Sequence, residues 1–255
     1  MLIAKIGGNV IEDQLALSRF LKDFATWAGP KILVHGGGKS ATQLAGRLGV
    51  PTEMIDGRRI TSVENLDIVL MTYAGLLNKK IVAQLQGYSC DAVGLTGADG
   101  DSIRSDKRPV QFVDYGYVGD VKAVNSTYIH SMLDQEKVPI FCAVTHDGNG
   151  QLLNTNADTI ASKLAQAMGE LYTVSLYYCF ELEGVLENIK DPDSLVECMD
   201  YHTYLHLVDQ GRIVNGMLPK LHNCLEALQN KVNEVHIANA NYIKDPQVRH
   251  TTLTL

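Results

Sequence analysis

The chain has 255 residues, of which 45% are hydrophobic and 20% are charged, a composition typical of a soluble globular protein with a large buried core. The formal net charge of -7 argues against a general binder of nucleic acid or of an anionic membrane, because both need a basic surface. The five cysteines form no CxxC pair, the first residues lack a signal-peptide pattern, and no apolar run could span a bilayer, so we expect a cytoplasmic protein.

Short apolar runs alternate with amphipathic stretches along the chain. In order, strands are expected at 2–6, 32–35, 91–95, 138–144, 172–180 and 234–238, with a hairpin within 112–124. Helices are expected at 13–28, 39–48, from a capping box of Thr61 and Glu64 to about residue 86, and at 157–168, 201–210 and 216–230. Strands that alternate with helices predict an α/β fold with a mostly parallel sheet and helices on both faces.

Two glycine-rich loops follow predicted strands. AKIGGN contains Lys5 within the first strand, and VHGGGKS leads into a helix; either loop alone could be a simple tight turn. A P-loop needs a glycine five residues before Gly38, and that position is occupied by Leu33, so this motif is excluded. The GxGxxG fingerprint is absent from both loops. A lysine within a buried strand is costly without a partner, unless it reaches water from a sheet edge. The two glycines after Lys5 favour a site for phosphoryl transfer.

Polar residues also occur at two other expected helix starts. LLNTNADTIA contains Asn154 and Asp158, for which helix capping is the alternative to a site role. GMLPK puts Lys220 in the first turn of a helix, where a cation opposes the helix dipole, which indicates an anionic ligand; a solvated surface lysine is the alternative. His202 and His206 lie four residues apart without the glutamate of HExxH, so we predict no metal site.

Seven segments in order, AKIGGN, VHGGGKSATQL, DGRRIT, AVGLTGADGD, GYVGDV, LLNTNADTIA and GMLPK, resemble the acetylglutamate kinases of the amino acid kinase family. The resemblance covers nearly the whole chain and implies an α/β/α sandwich around a mainly parallel, eight-stranded sheet. It implies ATP-dependent phosphorylation of the γ-carboxylate of N-acetyl-L-glutamate in arginine biosynthesis, with Mg²⁺ bound mainly through the phosphates. It also implies one continuous domain, with residues 1–170 for the acyl-amino acid and dimerisation and 171–255 for ATP.

The resemblance implies catalytic roles for three charged residues. Lys5 in KIGG would stabilise the transferring phosphoryl group, and Lys220 in GMLPK would do so from the nucleotide side. Asp158 in NTNAD would hold both lysines in place. A γ-carboxylate is already ionised at neutral pH, so no general base is required, and the protein acts through positioning and charge stabilisation.

The resemblance also implies residues that contact the substrate and the nucleotide. Gly37 and Gly38 would line the substrate site, while Arg59 and Asn154 would bind the α-carboxylate, for which the fork of an arginine is well shaped. Gly8 would offer its N–H group to the phosphoryl group, as would Gly37.

One segment departs from the family pattern. Where members carry TDVxG or SDVxG, this chain reads VSLYYCFELEGVL, without the aspartate. Glu183 and Gly184 are the expected nucleotide contacts, and Glu181 is the other candidate for the missing acid. The aromatic residues of YYCF are core residues or, alternatively, contacts for the base; strand alternation puts Tyr178 and Phe180 on the same face.

The sequence also leaves two alternative functions open and leads to an expectation about the oligomeric state. The alternatives are a kinase for another N-acylated glutamate, such as N-succinylglutamate, and a catalytically inactive homologue that senses metabolites, which the altered strand suggests. Arginine-inhibited members of the family carry an extra N-terminal helix that links dimers into hexamers. Because this sequence starts at its first strand, we expect a homodimer that arginine does not inhibit, with the helix from Ser62 to about residue 86 as its surface.

Overall fold

The computed structural model describes residues 1–55, 58–180, 182–188, 190–213, 217–241, 243, 245 and 247–255. Two compact units are present: Met1–Lys31 with Ala161–Leu255, and Ile32–Ile160. The expectations that concern Glu181 and the first residue of the helix at 216–230 lie outside the described residues. The division of functions between 1–170 and 171–255 stays a prediction.

The strands follow one another along the chain in this order: β1 Leu2–Ile6, β2 Lys31–His35, β3 Met54–Ile55, β4 Arg58–Arg59, β5 Ala92–Leu95, β6 Ile103–Lys107, β7 Gly119–Val124, β8 Val138–Cys142, β9 Val144–His146, β10 Leu152–Asn154, β11 Ser175–Phe180, β12 Cys198–Met199, β13 Glu234–Asn239 and β14 Thr251–Leu253. The α-helices are α1 Gly8–Glu12, α2 Gln14–Thr26, α3 Gly38–Leu48, α4 Val63–Val69, α5 Asn78–Gly87, α6 Ser126–Asp134, α7 Ala157–Met168, α8 Tyr201–Asp209 and α9 Leu218–Gln229. A π-helical segment, Leu70–Leu77, joins α4 to α5.

The first unit contains the sheet strands β12, β14, β13, β11 and β1, in that order. Its pairs are parallel, except that β13 and β14 run antiparallel. All five residues of β1 are buried, as expected for a parallel strand that is covered on both faces.

The second unit contains the parallel strands β2, β8 and β5. A separate four-stranded sheet, in the order β10, β9, β6, β7, and the small hairpin of β3 and β4 also belong to this unit. The sequence therefore predicted correctly an α/β fold with a large, mainly parallel sheet.

Local capping explains where several helices begin and end. The carboxylate of Asp13 accepts hydrogen bonds from the N–H groups of Leu15 and Ala16, both at 3.0 Å, and so starts α2. Gly49 ends α3 in the left-handed conformation, with φ of 71°, which a glycine adopts without a steric penalty.

Two sequence-based expectations about local structure were wrong. The cap of α4 is Ser62, whose hydroxyl accepts a hydrogen bond from the N–H of Asn65 at 3.2 Å, while Thr61 is fully buried. The N-cap therefore lies one residue later than expected, and the hydroxyl of Thr61 instead bonds to the carbonyl of Arg59. The hairpin expected within 112–124 is formed by β6 and β7, so only its second strand lies in that range.

The aromatic strand β11 contributes to the core of the first unit. The rings of Tyr178 and Phe180 stack with centroids 6.4 Å apart, which confirms that they share a face. Tyr177 points the other way, where its ring lies 4.7 Å from that of His236. All three side chains are buried.

Candidate active site

The first unit brings two predicted lysines to one aromatic ring. Lys5, in the middle of β1, is only 7% exposed, and its Nζ lies 5.3 Å from the centroid of the Phe180 ring. Lys220, in the first turn of α9, has its Nζ 3.8 Å from the same centroid. The structure therefore places both ammonium groups at one ring, although Lys5 and Lys220 lie near opposite ends of the sequence.

A glycine turn lies beside this pair. Gly7 is the N-cap of α1, and its N–H donates to the carbonyl of Cys179 at 3.1 Å, which holds the turn against β11. A Cβ atom on Gly7 would lie 3.6 Å from the ring of Phe180. Gly8 is the first residue of α1, where the N–H groups of a helix point away from the helix and can meet an anion.

The second unit encloses a cavity of about 190 Å³ that collects most of the other predicted residues. The cavity is bordered by the glycine loop after β2, by the β3–β4 hairpin and by the start of α7. Its lining includes Gly36, Gly37, Gly38, Arg58, Arg59, Tyr73, Arg108, Asp120, Asn154 and Asn156. The four residues predicted to bind substrate, Gly37, Gly38, Arg59 and Asn154, thus line one cavity.

Arg59 is fixed at the wall of this cavity by polar contacts. Its Nη2 donates hydrogen bonds to the carbonyl oxygen of Gly38 at 3.0 Å and to the hydroxyl of Thr42 at 2.8 Å. Its Nη1 donates to the hydroxyl of Thr52 at 3.2 Å. The side chain is buried, and these three hydrogen bonds hold its guanidinium at the cavity wall.

Asn154 and Asp158 occupy different environments in the same segment. The Nδ2 of Asn154 donates to the hydroxyl of Thr61 at 3.0 Å, which orients the amide in the cavity wall. The cap of α7 is Asn156, whose Oδ1 accepts from the N–H groups of Asp158 and Thr159 at 2.8 and 3.0 Å. Helix capping therefore does not account for the side chain of Asp158, which is buried in the first turn of α7.

Close packing around Gly37 leaves no room for a side chain at this position. A Cβ atom at this position would lie 2.6 Å from Cδ1 of Leu77 and 2.7 Å from Cδ1 of Tyr73. Both neighbours belong to the π-helical segment, and such segments often occur at functional sites. Burial raises the pKa of Tyr73 above its ordinary value, against the opposing influence of the nearby Arg59 charge, so the phenol stays protonated.

A buried histidine supports the same glycine loop. The Nδ1–H of His35 donates to the carbonyl of Gly36 at 2.8 Å, and its Nε2 accepts from the amide of Asn78 at 3.1 Å. Burial lowers the pKa of His35 to about 4, so the ring is neutral at physiological pH and can make both bonds.

Sequence reasoning missed several residues that line the cavity. Arg108 forms a two-point ion pair with Asp120 and lies over the ring of Tyr115, 5.4 Å from its centroid. The Asp120 carboxylate raises the pKa of Arg108. Asp120 belongs to the GYVGDV segment, so that motif could have identified it as a site residue. No motif in the sequence includes Arg108 or Tyr73.

Glu183 and Gly184, the predicted nucleotide contacts, lie in the first unit next to Arg249 and Thr251. A Cβ atom on Gly184 would lie 2.4 Å from the hydroxyl of Thr251, which itself accepts a hydrogen bond from the N–H of Val185 at 2.8 Å. The carboxylate of Glu183 lies 4.0 Å from the guanidinium of Arg249. Their expected contact with the nucleotide stays a prediction.

The described residues form neither a metal-binding cluster nor a membrane-spanning helix. Among the described residues, no group of three or more His, Cys, Asp or Glu side chains is arranged to hold a metal ion. No helix in the described part of the chain has the length and apolar character that a membrane span requires.

The chain is similar to known proteins over most of its length. The model of the amino acid kinase family matches residues 1–239. The chain is 50% identical over 239 residues to the acetylglutamate kinase of Cytophaga hutchinsonii, covering 93% of this chain and 90% of the relative. It is 48% identical over 243 residues to the acetylglutamate kinase of Phocaeicola vulgatus, covering 95% of each chain.

A solved structure shows the same fold. The structure of smu.665 from Streptococcus mutans UA159 matches with a TM-score of 0.79 and 26% identity, over 99% of this chain and 98% of that one. The family model and the curated relatives both extend over nearly the full length of the chain. This chain therefore belongs to the amino acid kinase family.

Proposed function

We propose that this protein is an acetylglutamate kinase, which transfers the γ-phosphoryl group of ATP to the γ-carboxylate of N-acetyl-L-glutamate. The observation that carries the proposal is the convergence of Lys5 and Lys220 beside the Gly7–Gly8 turn. It occurs in a chain whose relatives at 48 and 50% identity are named acetylglutamate kinase. A place in arginine biosynthesis and a cytoplasmic location follow from the same proposal.

The chemical step is an in-line displacement at phosphorus. An oxygen of the γ-carboxylate attacks the γ-phosphorus of ATP, the bond to the β-phosphate oxygen breaks, and ADP leaves with the electron pair of that bond. The product is an acyl phosphate, and no proton has to move because the attacking carboxylate is ionised. Negative charge on the transferring group is the quantity that the protein must stabilise.

The residues of the first unit are suited to this stabilisation. Lys5 and Lys220 would offset the charge on the transferring group, and Gly8 would add an N–H group from the start of α1. The proposal also assigns to Asp158, a residue of the second unit, the orientation of the two lysines. Mg²⁺ would be carried mainly by the phosphates of ATP, with Glu183 and Gly184 among the nucleotide contacts.

The cavity of the second unit is suited to the acyl-amino acid. Arg59 and Asn154 would bind the α-carboxylate, and Gly37 and Gly38 would border the rest of the substrate. An arginine that hydrogen-bonding neighbours already hold in place loses little conformational entropy when it binds a carboxylate. The small-molecule substrate and a homodimeric assembly are part of the proposal, which includes no nucleic acid and no membrane.

The test is product formation with purified protein. We expect ADP release that depends on N-acetyl-L-glutamate, together with an acyl phosphate that hydroxylamine traps as a hydroxamate. N-succinyl-L-glutamate and unmodified glutamate serve as the comparison substrates. A higher kcat/KM for the succinyl compound would replace the acetyl assignment. ADP release without any hydroxamate, or no turnover at all, would contradict the proposed reaction and favour a metabolite-sensing protein.

A further inference from the structure

The ring of Phe180 contacts one lysine from strand β1 and one from helix α9. The ammonium of Lys5 comes to it from β1 at 5.3 Å, and that of Lys220 comes from α9 at 3.8 Å. The two distances limit the separation of the ammonium nitrogens to at most their sum. Both distances fall within the range of about 6 Å over which a cation is attracted to an aromatic face.

The ring has an electrostatic consequence for this pair. Two like charges that approach each other in a partly buried site repel, and the repulsion grows as the local dielectric constant falls. The face of an aromatic ring carries partial negative charge without a full countercharge. It can therefore attract both ammonium groups without cancelling their positive charge, which stays available for an anionic substrate.

The surroundings of Phe180 fix the orientation of its ring. Tyr178 stacks on it with an angle of 3° between the ring planes, and Tyr178 is itself fully buried. The turn at Gly7 lies next to the ring, since a Cβ atom there would come within 3.6 Å of Cδ1. Phe180 is 9% exposed and ends β11. A ring with these neighbours can serve as a platform for the two ammonium groups.

We infer that Phe180 is a positioning residue for phosphoryl transfer, whose ring holds the ammonium groups of Lys5 and Lys220 together in their working arrangement. The inference rests on the proposed function, because it assigns Phe180 to the two lysines of that reaction. It explains why an aromatic side chain stands at the end of this strand, beside the two cations. It also predicts that the ring acts on the rate of the chemical step rather than on the binding of the acyl-amino acid.

The sharpest test changes the charge on the ring face and keeps its shape. Phenylalanines with one, two and three ring fluorines, incorporated at position 180, weaken cation–π attraction progressively. We expect kcat to fall with each fluorine, to a total of about 3- to 30-fold, the range that one to two lost cation–π contacts would produce. KM for N-acetyl-L-glutamate should stay constant, and the melting temperature should change little because the packing volume is nearly preserved.

Two conventional variants complement the fluorine series. Phe180→Leu should lower kcat by a similar factor, and Phe180→Tyr should retain most of the activity because the ring remains. Phe20→Leu is the matched control, since Phe20 is a buried ring of the same unit that stacks on Phe24 at 6.0 Å. A kcat that fluorination leaves unchanged, or a Phe180→Leu effect no larger than that of Phe20→Leu, would overturn the inference.

A readout that does not depend on activity separates this inference from the proposed function. Protons above an aromatic ring are shifted upfield, so the ε-methylene resonance of Lys220 should move downfield in Phe180→Leu and keep its position in Phe20→Leu. Lys220→Arg assigns the resonance by removing it. If the wild type does not phosphorylate N-acetyl-L-glutamate but the shift is present, the proposed function fails while the contact holds. An active wild type without the shift would contradict the contact itself.

Discussion

The guanidinium of Arg59 donates a hydrogen bond to the carbonyl oxygen of Gly38 at 3.0 Å. This bond joins the β3–β4 hairpin, which carries the arginine, to the glycine loop at the start of α3. The proposed carboxylate clamp and the backbone that borders the substrate are therefore one connected wall. A change in either element should therefore weaken the binding of the acyl-amino acid.

The Arg59→Ala variant tests this wall directly. We expect KM for N-acetyl-L-glutamate to rise by about 10- to 100-fold, because a charge-assisted hydrogen bond contributes about 1.5–3 kcal/mol. KM for ATP should change little. Thr42→Val is the control, since it removes one partner of Arg59 and leaves the guanidinium in place. Steady-state kinetics with each substrate varied in turn provide the measurement, and an effect limited to ATP would reject the assignment.

The Lys5→Ala and Lys220→Ala variants test phosphoryl transfer. Each should reduce kcat by about 10²–10³-fold, the loss that follows removal of one group that stabilises charge in a transition state. KM for N-acetyl-L-glutamate should change much less. Lys163→Ala is a suitable control, because Lys163 is a half-buried lysine of the same unit that pairs with Glu226. Near-normal turnover in either variant would remove that lysine from the reaction.

The Gly37→Ala variant tests the packing of the glycine loop. The added methyl group would come within 2.7 Å of the ring of Tyr73, so we expect a loss of about 1–3 kcal/mol in the free energy of unfolding, with a raised KM for the acyl-amino acid. Gly46→Ala in α3, the helix that Gly37 precedes, is the control, since a Cβ atom there has no neighbour within 4 Å. It should stabilise the protein by about 0.5–1 kcal/mol. Urea denaturation distinguishes the two; equal effects would show that the contact with Tyr73 is unimportant.

The buried His35 predicts a pH dependence of stability. Its pKa is about 4 when folded, against 6.5 for the ordinary group, so between these values the unfolded state binds the proton more readily. Stabilisation by the neutral ring is therefore complete above the higher value and is lost as the pH falls towards the lower one. Between about pH 7 and pH 5, the free energy of unfolding should fall by about 2 kcal/mol more in the wild type than in His35→Gln. The exposed His202→Gln serves as the control, and an unchanged difference in His35→Gln would contradict the prediction.

The proposed homodimer can be tested on the helical run that follows Ser62. Met71 and Leu76 on the π-helical segment are 51% and 48% exposed, which leaves apolar surface for a second copy of the chain. Met71→Lys combined with Leu76→Lys should shift the protein towards a monomer in light scattering. Leu15→Lys on α2 is the control, because Leu15 is also exposed but lies on another helix. A dimer that survives the double substitution would place the interface elsewhere.

The sequence by itself determined the order and type of most elements. The strand at 2–6 and the helix at 157–168 were predicted with the bounds that the structure has, because apolar periodicity and glycine breaks are local properties of the chain. The motifs also identified some of the residues that line the cavity of the second unit. Gly37, Arg59 and Asn154 were named from three separate segments, and all three line it.

The tertiary structure alone decided which distant side chains meet. Whether Thr61 or Ser62 caps the helix depends on Thr61 being buried next to Asn154, a contact across 93 residues. The same applies to Phe180, because the sequence could not distinguish a residue beside the two lysines from an ordinary core residue. Local preferences differ by less than about 1 kcal/mol per residue, so long-range packing, which buries and pairs whole side chains, decides such cases.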